Sequence, residues 1–331
     1  MHRSIAWLPL LFVACASAEP QGVPAPEFEQ QVLNAEQQDQ RRRELAKVLL
    51  ELDQAIGSYE QNLANQGTAH ADQQIEKIEK FLRDTVLDTG VRNLAGSMAR
   101  DAQWQPGENF RRLQAMATDG SNPWQQGIAL AALGFSGRYD VMPTILQGAQ
   151  LAAPQVVDRA VFGLAILRAP DTPPGVVAAV VMRADHPEEG RINAAWALYR
   201  LQTVSQRQAE FPELWRKMLA ERDRMPAGVL ISAIRGLGLT RDVQHAALVA
   251  PFLLHPTPQV RNATTIALAR MNAQEHWRDL LRLLEPAETN QNVRLHARKA
   301  LAALAGGVDY GYDLAAWRKT FDRGAASPAD R

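Results

Sequence analysis

The chain holds one cysteine, Cys15, in 331 residues, so it cannot form an intramolecular disulfide. Its fold must rest on ordinary apolar packing, unlike small exported domains that staple an insufficient core. Net charge is absent too, with 36 Lys and Arg against 36 Asp and Glu. A balanced chain lacks the basic excess of nucleic-acid binders, and no nucleic acid is expected as a partner. Beyond the N-terminus no stretch is apolar enough to be transmembrane. There is no Gly-x-Ser-x-Gly, P-loop or Gly-x-Gly-x-x-Gly fingerprint, and the six histidines after His2 lack His-x3-His or His-Glu-x-x-His spacing. The acidic group Asp185, Glu188 and Glu189 reads as a solvated turn and helix start. The expectation is a non-enzymatic protein with no cofactor and no metal.

What is present begins with an export segment. Met1-His2-Arg3 precedes an apolar run from Ile5 to Ala14, ten residues long. A membrane-spanning helix needs roughly twenty, so residues 1–18 read as a signal peptide or lipoprotein signal. Ala16-Ser17-Ala18 before Glu19 fits cleavage by ordinary signal peptidase. Phe12-Val13-Ala14-Cys15 resembles the bacterial lipobox, with Phe12 where Leu is usual, which makes Cys15 a candidate lipidation site. Residues 19–27, rich in Pro, read as an extended tether. The expected location is the cell envelope, either lipid-anchored, the only membrane contact foreseen, or soluble and periplasmic.

Residues 28–100 read as helical. Leu49, Ile56 and Leu63 recur every seven positions, with Leu45, Leu52 and Tyr59 between them, a narrow apolar seam on one long helix. After Gly67-Thr68 a second pattern follows through Ile75, Ile78, Leu82 and Val86. A helical hairpin burying seam against seam accommodates both. A short coiled coil, making a homodimer through residues 28–65, is the alternative.

From residue 107 to 322 a repeat dominates. "PTPQVRNATTIALARM" and "NQNVRLHARKALAALAG" align Val260-Arg261 with Val293-Arg294 and Ala267-Leu268 with Ala300-Leu301. The same template finds Leu133, Leu164, Leu198 and Leu237, so the six leucines are 31, 34, 39, 31 and 33 residues apart. Apolar or small residues such as Val260, Thr264, Ala267, Leu268 and Met271 lie on one helix face. Between copies runs a second amphipathic segment, for example "FPELWRKMLAE" or "HWRDLLRLL", set off by Pro or Gly turns. One such helix pair cannot bury both apolar faces, so neighbours must stack. Gly306-Gly307, Asp313, Trp317 and Phe321 are suited to stop the last helix, cap a further one and cover the final unit, and residues 323–331 are expected to be a disordered tail.

"FLLHPTPQVRNATTIALARM" resembles the short bacterial, phycobilisome-lyase-type HEAT repeat: Leu-Leu, a turn with Asp or Pro, Val-Arg-x-x-Ala, Ala-Leu. The match is close at 252–271 and 280–305, looser at 190–201, and faint at 125–135 and 156–167. His255 stands where the pattern has Asp, and Gln126, Val157 and Leu230 replace its Arg in three units. The ending "LAGGVDYGYDLAAWRKTF" is similar to that of exported bacterial HEAT proteins. The resemblance implies an all-α protein, an α-solenoid of about six HEAT-like helix pairs preceded by an N-terminal helical hairpin or short coiled coil. It also implies that Arg191, Arg261 and Arg294, at one repeat position, bond across repeats to acidic neighbours; direct ligand binding is their other reading. The concave face of such a solenoid is its usual partner surface. Its candidate residues are these three with Trp196, Tyr199, Arg200, Arg235, Thr265, Arg270 and Arg298. The expected function is a scaffold or adaptor holding a protein or peptide of the cell envelope. A lyase-type enzyme or enzyme partner related to bilin lyases, and a cell-wall-binding protein, are the alternatives.

Overall fold

The computed structural model describes residues 26–64, 68–88 and 107–325, and among these every regular element is helical. Cys15 and the export segment lie outside them. The chain divides into two compact units between Val48 and Leu49, inside the first helix, α1 (Pro26–Ala64). In the first unit the described side chains from Asn34 to Glu44 are all exposed.

The second unit starts with the rest of α1 and α2 (Ala69–Leu87), which Thr68 opens by accepting the Ala71 amide hydrogen at 3.2 Å. Six helix pairs follow: α3 (Glu108–Thr118) with α4 (Pro123–Gly134), α5 (Met142–Gly148) with α6 (Pro154–Leu167), α7 (Pro174–Met182) with α8 (Glu188–Gln202), α9 (Phe211–Ala220) with α10 (Ala227–Thr240), α11 (Ala246–Val249) with α12 (Pro258–Arg270), and α13 (Trp277–Arg282) with α14 (Gln291–Leu304). A 3-10 turn, Ala250–Leu254, extends α11. Proline in the first turn starts α4, α6, α7 and α12, where its missing N–H costs nothing.

Each odd helix packs on the even helix of its own pair, and the even helices pack on one another in chain order from α4 to α14. Neighbouring odd helices touch much less, so the even row is the tightly packed side. Leu133, Leu164, Leu198, Leu237, Leu268 and Leu301 are all fully buried, each at the same place in its unit. Complete burial of such a side chain contributes about 1.5–3 kcal/mol. Small residues set the spacing of the even helices. A Cβ on Gly163 would sit 2.5 Å from the Leu130 carbonyl oxygen, and one on Gly134 equally close to that of Gly163.

Polar links also join successive units. Gln202 is buried between three helices: its Nε2 donates to the Gly236 carbonyl at 3.0 Å and its Oε1 accepts from Trp215 Nε1 at 2.9 Å. His186, ahead of α8, lies 2.7 Å from Asp158 of α6.

The last unit ends in a built cap. Gly306 and Gly307 take φ of 69° and 94° after α14. Asp313 Oδ1 accepts the Ala315 and Ala316 amides at 3.0 Å, opening α15 (Leu314–Ala325). From α15 Trp317 is fully buried, with Nε1 donating to the Gly311 carbonyl at 3.1 Å, and Phe321 stacks on Trp277 with ring centroids 5.2 Å apart. Arg298 holds Asp309 bidentately at 2.7–3.0 Å.

Candidate functional site

The outward face of the even helices can be read from one contact. Phe162 of α6 and Trp196 of α8 both lie two residues before their template leucines, and their rings stack with centroids 6.4 Å apart. That position continues as Arg235, Ile266 and Lys299 on α10, α12 and α14. One turn further along each helix, two residues after the leucine, come Phe135, Ile166, Arg200, Leu239 and Arg270.

The first half of this face is already occupied by the chain itself. Leu49, Leu52, Ile56 and Tyr59, the seam of α1, are buried. Tyr59 meets Phe135 edge-on at 5.2 Å and Phe162 at 6.2 Å. On either side of it, Asp53 and Glu60 reach Arg159 of α6 at 3.0 and 3.5 Å. The Tyr59 hydroxyl donates to Glu79 of α2 at 2.7 Å. Burial first, and then that carboxylate, push the Tyr59 phenol well above its usual range, so it remains a donor. Desolvation likewise raises the Glu60 carboxyl, with Asp53 and Glu189 adding to it and Arg159 opposing. The seam is therefore not closed by a hairpin alone. Aromatic side chains more than seventy residues away cover it, and these four seam residues are enclosed within a single chain.

Against this geometry the ten candidates separate. Arg191, Arg261 and Arg294 turn inward to the ends of the odd helices of their own pairs. Arg191 Nε donates to the Val181 carbonyl at 2.8 Å, Arg261 to the His255 carbonyl at 2.8 Å, and Arg294 to the Leu284 carbonyl at 3.4 Å. Cations at a helix C-terminus satisfy free carbonyls and oppose the dipole. Among the described residues only Arg261 also meets an acid: Glu288, in the turn before α14, lies 2.8 Å from both Nε and Nη2 and is 8% exposed. Arg294 instead lies over the Tyr312 ring, 5.0 Å from its centroid. An acid ladder thus forms at one unit of the three.

Thr265 is fully buried, with its hydroxyl on the Asn262 carbonyl at 2.8 Å, so it offers nothing to a ligand. Arg298 lies at the same repeat position, three before the leucine, and its guanidinium is taken up by Asp309. Tyr199, half-buried, takes the position where Gly134 and Gly238 let neighbouring helices touch. Trp196 and Arg200 belong to the occupied half: the Arg200 guanidinium lies 5.1 Å over the Trp196 ring and close to Tyr59.

Arg235 and Arg270 remain. Both are exposed and make no ion pair or hydrogen bond among the described residues; Lys299, missed in the sequence, is like them. Half-buried Leu239 and Ile266 lie between these cations, with Ile231 one turn before Arg235. Helices α10, α12 and α14 contain no acidic residue. On the odd-helix side, two shallow clefts flank Leu254, which is 82% exposed. Among the described residues no group of three or more His, Cys, Asp or Glu is arranged to hold a metal, and no helix is long and apolar enough to cross a membrane.

No protein-family model matches this sequence, and no curated protein aligns with it. The HEAT resemblance accordingly stands on the repeat residues themselves.

Proposed function

We propose that residues 107–322 are a HEAT-like α-solenoid serving as a non-enzymatic scaffold or adaptor of the cell envelope, and that the outward face of its even helices binds a protein or peptide. The observation that carries this reading is the use to which the chain already puts that face. Residues 49–64 lie on its first half through an apolar seam and flanking acids, while Arg235, Arg270 and Lys299 stand exposed on the second half. A surface that seats one helix by shape and charge is suited to seat another. In this reading the chain reaches the envelope through its export segment, with Cys15 as the lipidation site.

Site-resolved photo-cross-linking in living cells tests the binding face. A photoreactive residue at Ile266 is expected to trap one adduct of discrete mass. The same probe at Glu213, exposed on the odd helix α9, is expected to trap none. Equal adducts from both positions would refute the assignment. For the anchor, intact-mass measurement of the membrane fraction is expected to show a diacylated Cys15, lost in Cys15→Ser; an unmodified N-terminus at Glu19 would end that part.

A further inference from the structure

The chain's own segment specifies what the second half of the face should accept. Residues 49–64, "LLELDQAIGSYEQNLA", carry Glu51, Asp53 and Glu60 and no basic residue. Their apolar residues Leu49, Leu52, Ile56 and Tyr59 fall at helical spacing along one face. Docking pairs two of the three acids with Arg159 while the seam covers Phe135 and Phe162. The acidic amphipathic helix is thus a form this surface binds, and its binding elements have counterparts further along. Arg235, Arg270 and Lys299 supply positive charge, and Ile231, Leu239 and Ile266 supply partly exposed apolar surface.

Charge decides the sign of the partner. With no acid on α10, α12 or α14, nothing on these helices offsets the field of the three cations. Of the acids in the flanking turns, Asp309 is held by Arg298 and Glu288 by Arg261, while Asp242 lies 3.8 Å from His245. A basic or neutral helix would leave the cations unpaired or repelled, whereas an acidic one meets complementary potential and is steered toward the face.

We propose that the α10–α12–α14 face binds an acidic amphipathic helix of a partner protein, its apolar stripe on Ile231, Leu239 and Ile266 and its carboxylates on Arg235, Arg270 and Lys299. This rests on the reading of the even-helix face as the binding face and adds the chemistry of its occupant. The self-docked helix is the template, not the ligand, because its own site lies on α4 and α6.

The test uses the full chain and a fluorescein-labelled synthetic peptide of residues 49–64, read by anisotropy. Saturable binding is expected, weakened roughly 10- to 100-fold by the triple variant Arg235→Glu, Arg270→Glu, Lys299→Glu and weakened also by high salt. A peptide with Glu51, Asp53 and Glu60 changed to Lys should bind at least about tenfold more weakly. Circular dichroism of the variant controls for folding, since all three substitutions are at exposed positions. Binding that the triple variant leaves unchanged would mean that the peptide enters the α4–α6 site by exchange, and would overturn the proposal. Equal binding of the lysine peptide, or loss of binding on Leu254→Asp at the odd-side clefts, would overturn it as well. If neither peptide binds while Ile266 still cross-links a partner in cells, the acidic-helix assignment fails and the binding face stands. If Ile266 traps nothing, the face itself fails.

Discussion

Truncating Tyr59 to alanine should release residues 49–64 from the repeats without unfolding the repeats. The side chain is 1% exposed, lies edge-on to two phenylalanines and donates one hydrogen bond to a carboxylate. Removing a buried aromatic ring costs about 3–5 kcal/mol. Opening of this segment should then become roughly 100- to several-thousand-fold more frequent. Hydrogen exchange read by mass spectrometry resolves the effect by peptide: residues 49–64 should lose protection, while α12 and α14 keep theirs. Tyr59→Phe keeps the ring contacts and gives up only the bond to Glu79, so its effect should be smaller, about 1.5 kcal/mol or roughly tenfold. The two variants also part with pH. Because the folded phenol titrates above its unfolded value, its stabilisation is complete below pH about 10 and declines above it by at most ~1.4 kcal/mol per pH unit. Tyr59→Phe should remove that alkaline component. Equal loss of protection in α12, or 49–64 unprotected in the parent protein, would refute the reasoning.

Further substitutions test the joints between units. Gly163→Ala drives a methyl group to 2.5 Å from the Leu130 carbonyl and should cost about 1–3 kcal/mol, seen as a lower melting temperature. Gln202→Leu strands Trp215 Nε1 and takes a second hydrogen bond from the helical Gly236 carbonyl. About 1–3 kcal/mol for the stranded indole N–H is expected in urea unfolding. Arg261→Met leaves Glu288 buried without its cation and should cost about 3–5 kcal/mol, most of it recovered when Glu288→Gln is added. A double variant no better than the single would argue against that pairing.

The positions of the helices were legible because one leucine recurs in every unit, and burial of a repeated face is a local periodic property. The N-terminal seam was legible in the same way, through Leu49, Leu52, Ile56 and Tyr59. What covers it was not. A 3–4 spacing identifies the buried face but says nothing of its cover, and Phe135 and Phe162 come to Tyr59 only through stacking of the intervening chain. A trace was nonetheless present, since two units carry Phe on the outward side where later units carry Arg. The outward placement expected of Thr265 was not met, since polarity does not imply exposure. Thr265 satisfies its hydroxyl on its own helix, as threonine readily does. The repeated arginines close helix ends that the sequence alone does not display.

Arg298 bears on how such a chain can lengthen. In the five preceding units its position carries Leu130, Val161, Ala195, Ile234 and Thr265, each fully buried. A duplicated pair inserted before residue 242, between α10 and α11, would meet surfaces of that kind on both sides. One appended after residue 305 would enclose a guanidinium and displace Asp309, its counter-charge, leaving the cation to be desolvated without a partner. A further unit therefore fits inside the array and not beyond its capped end.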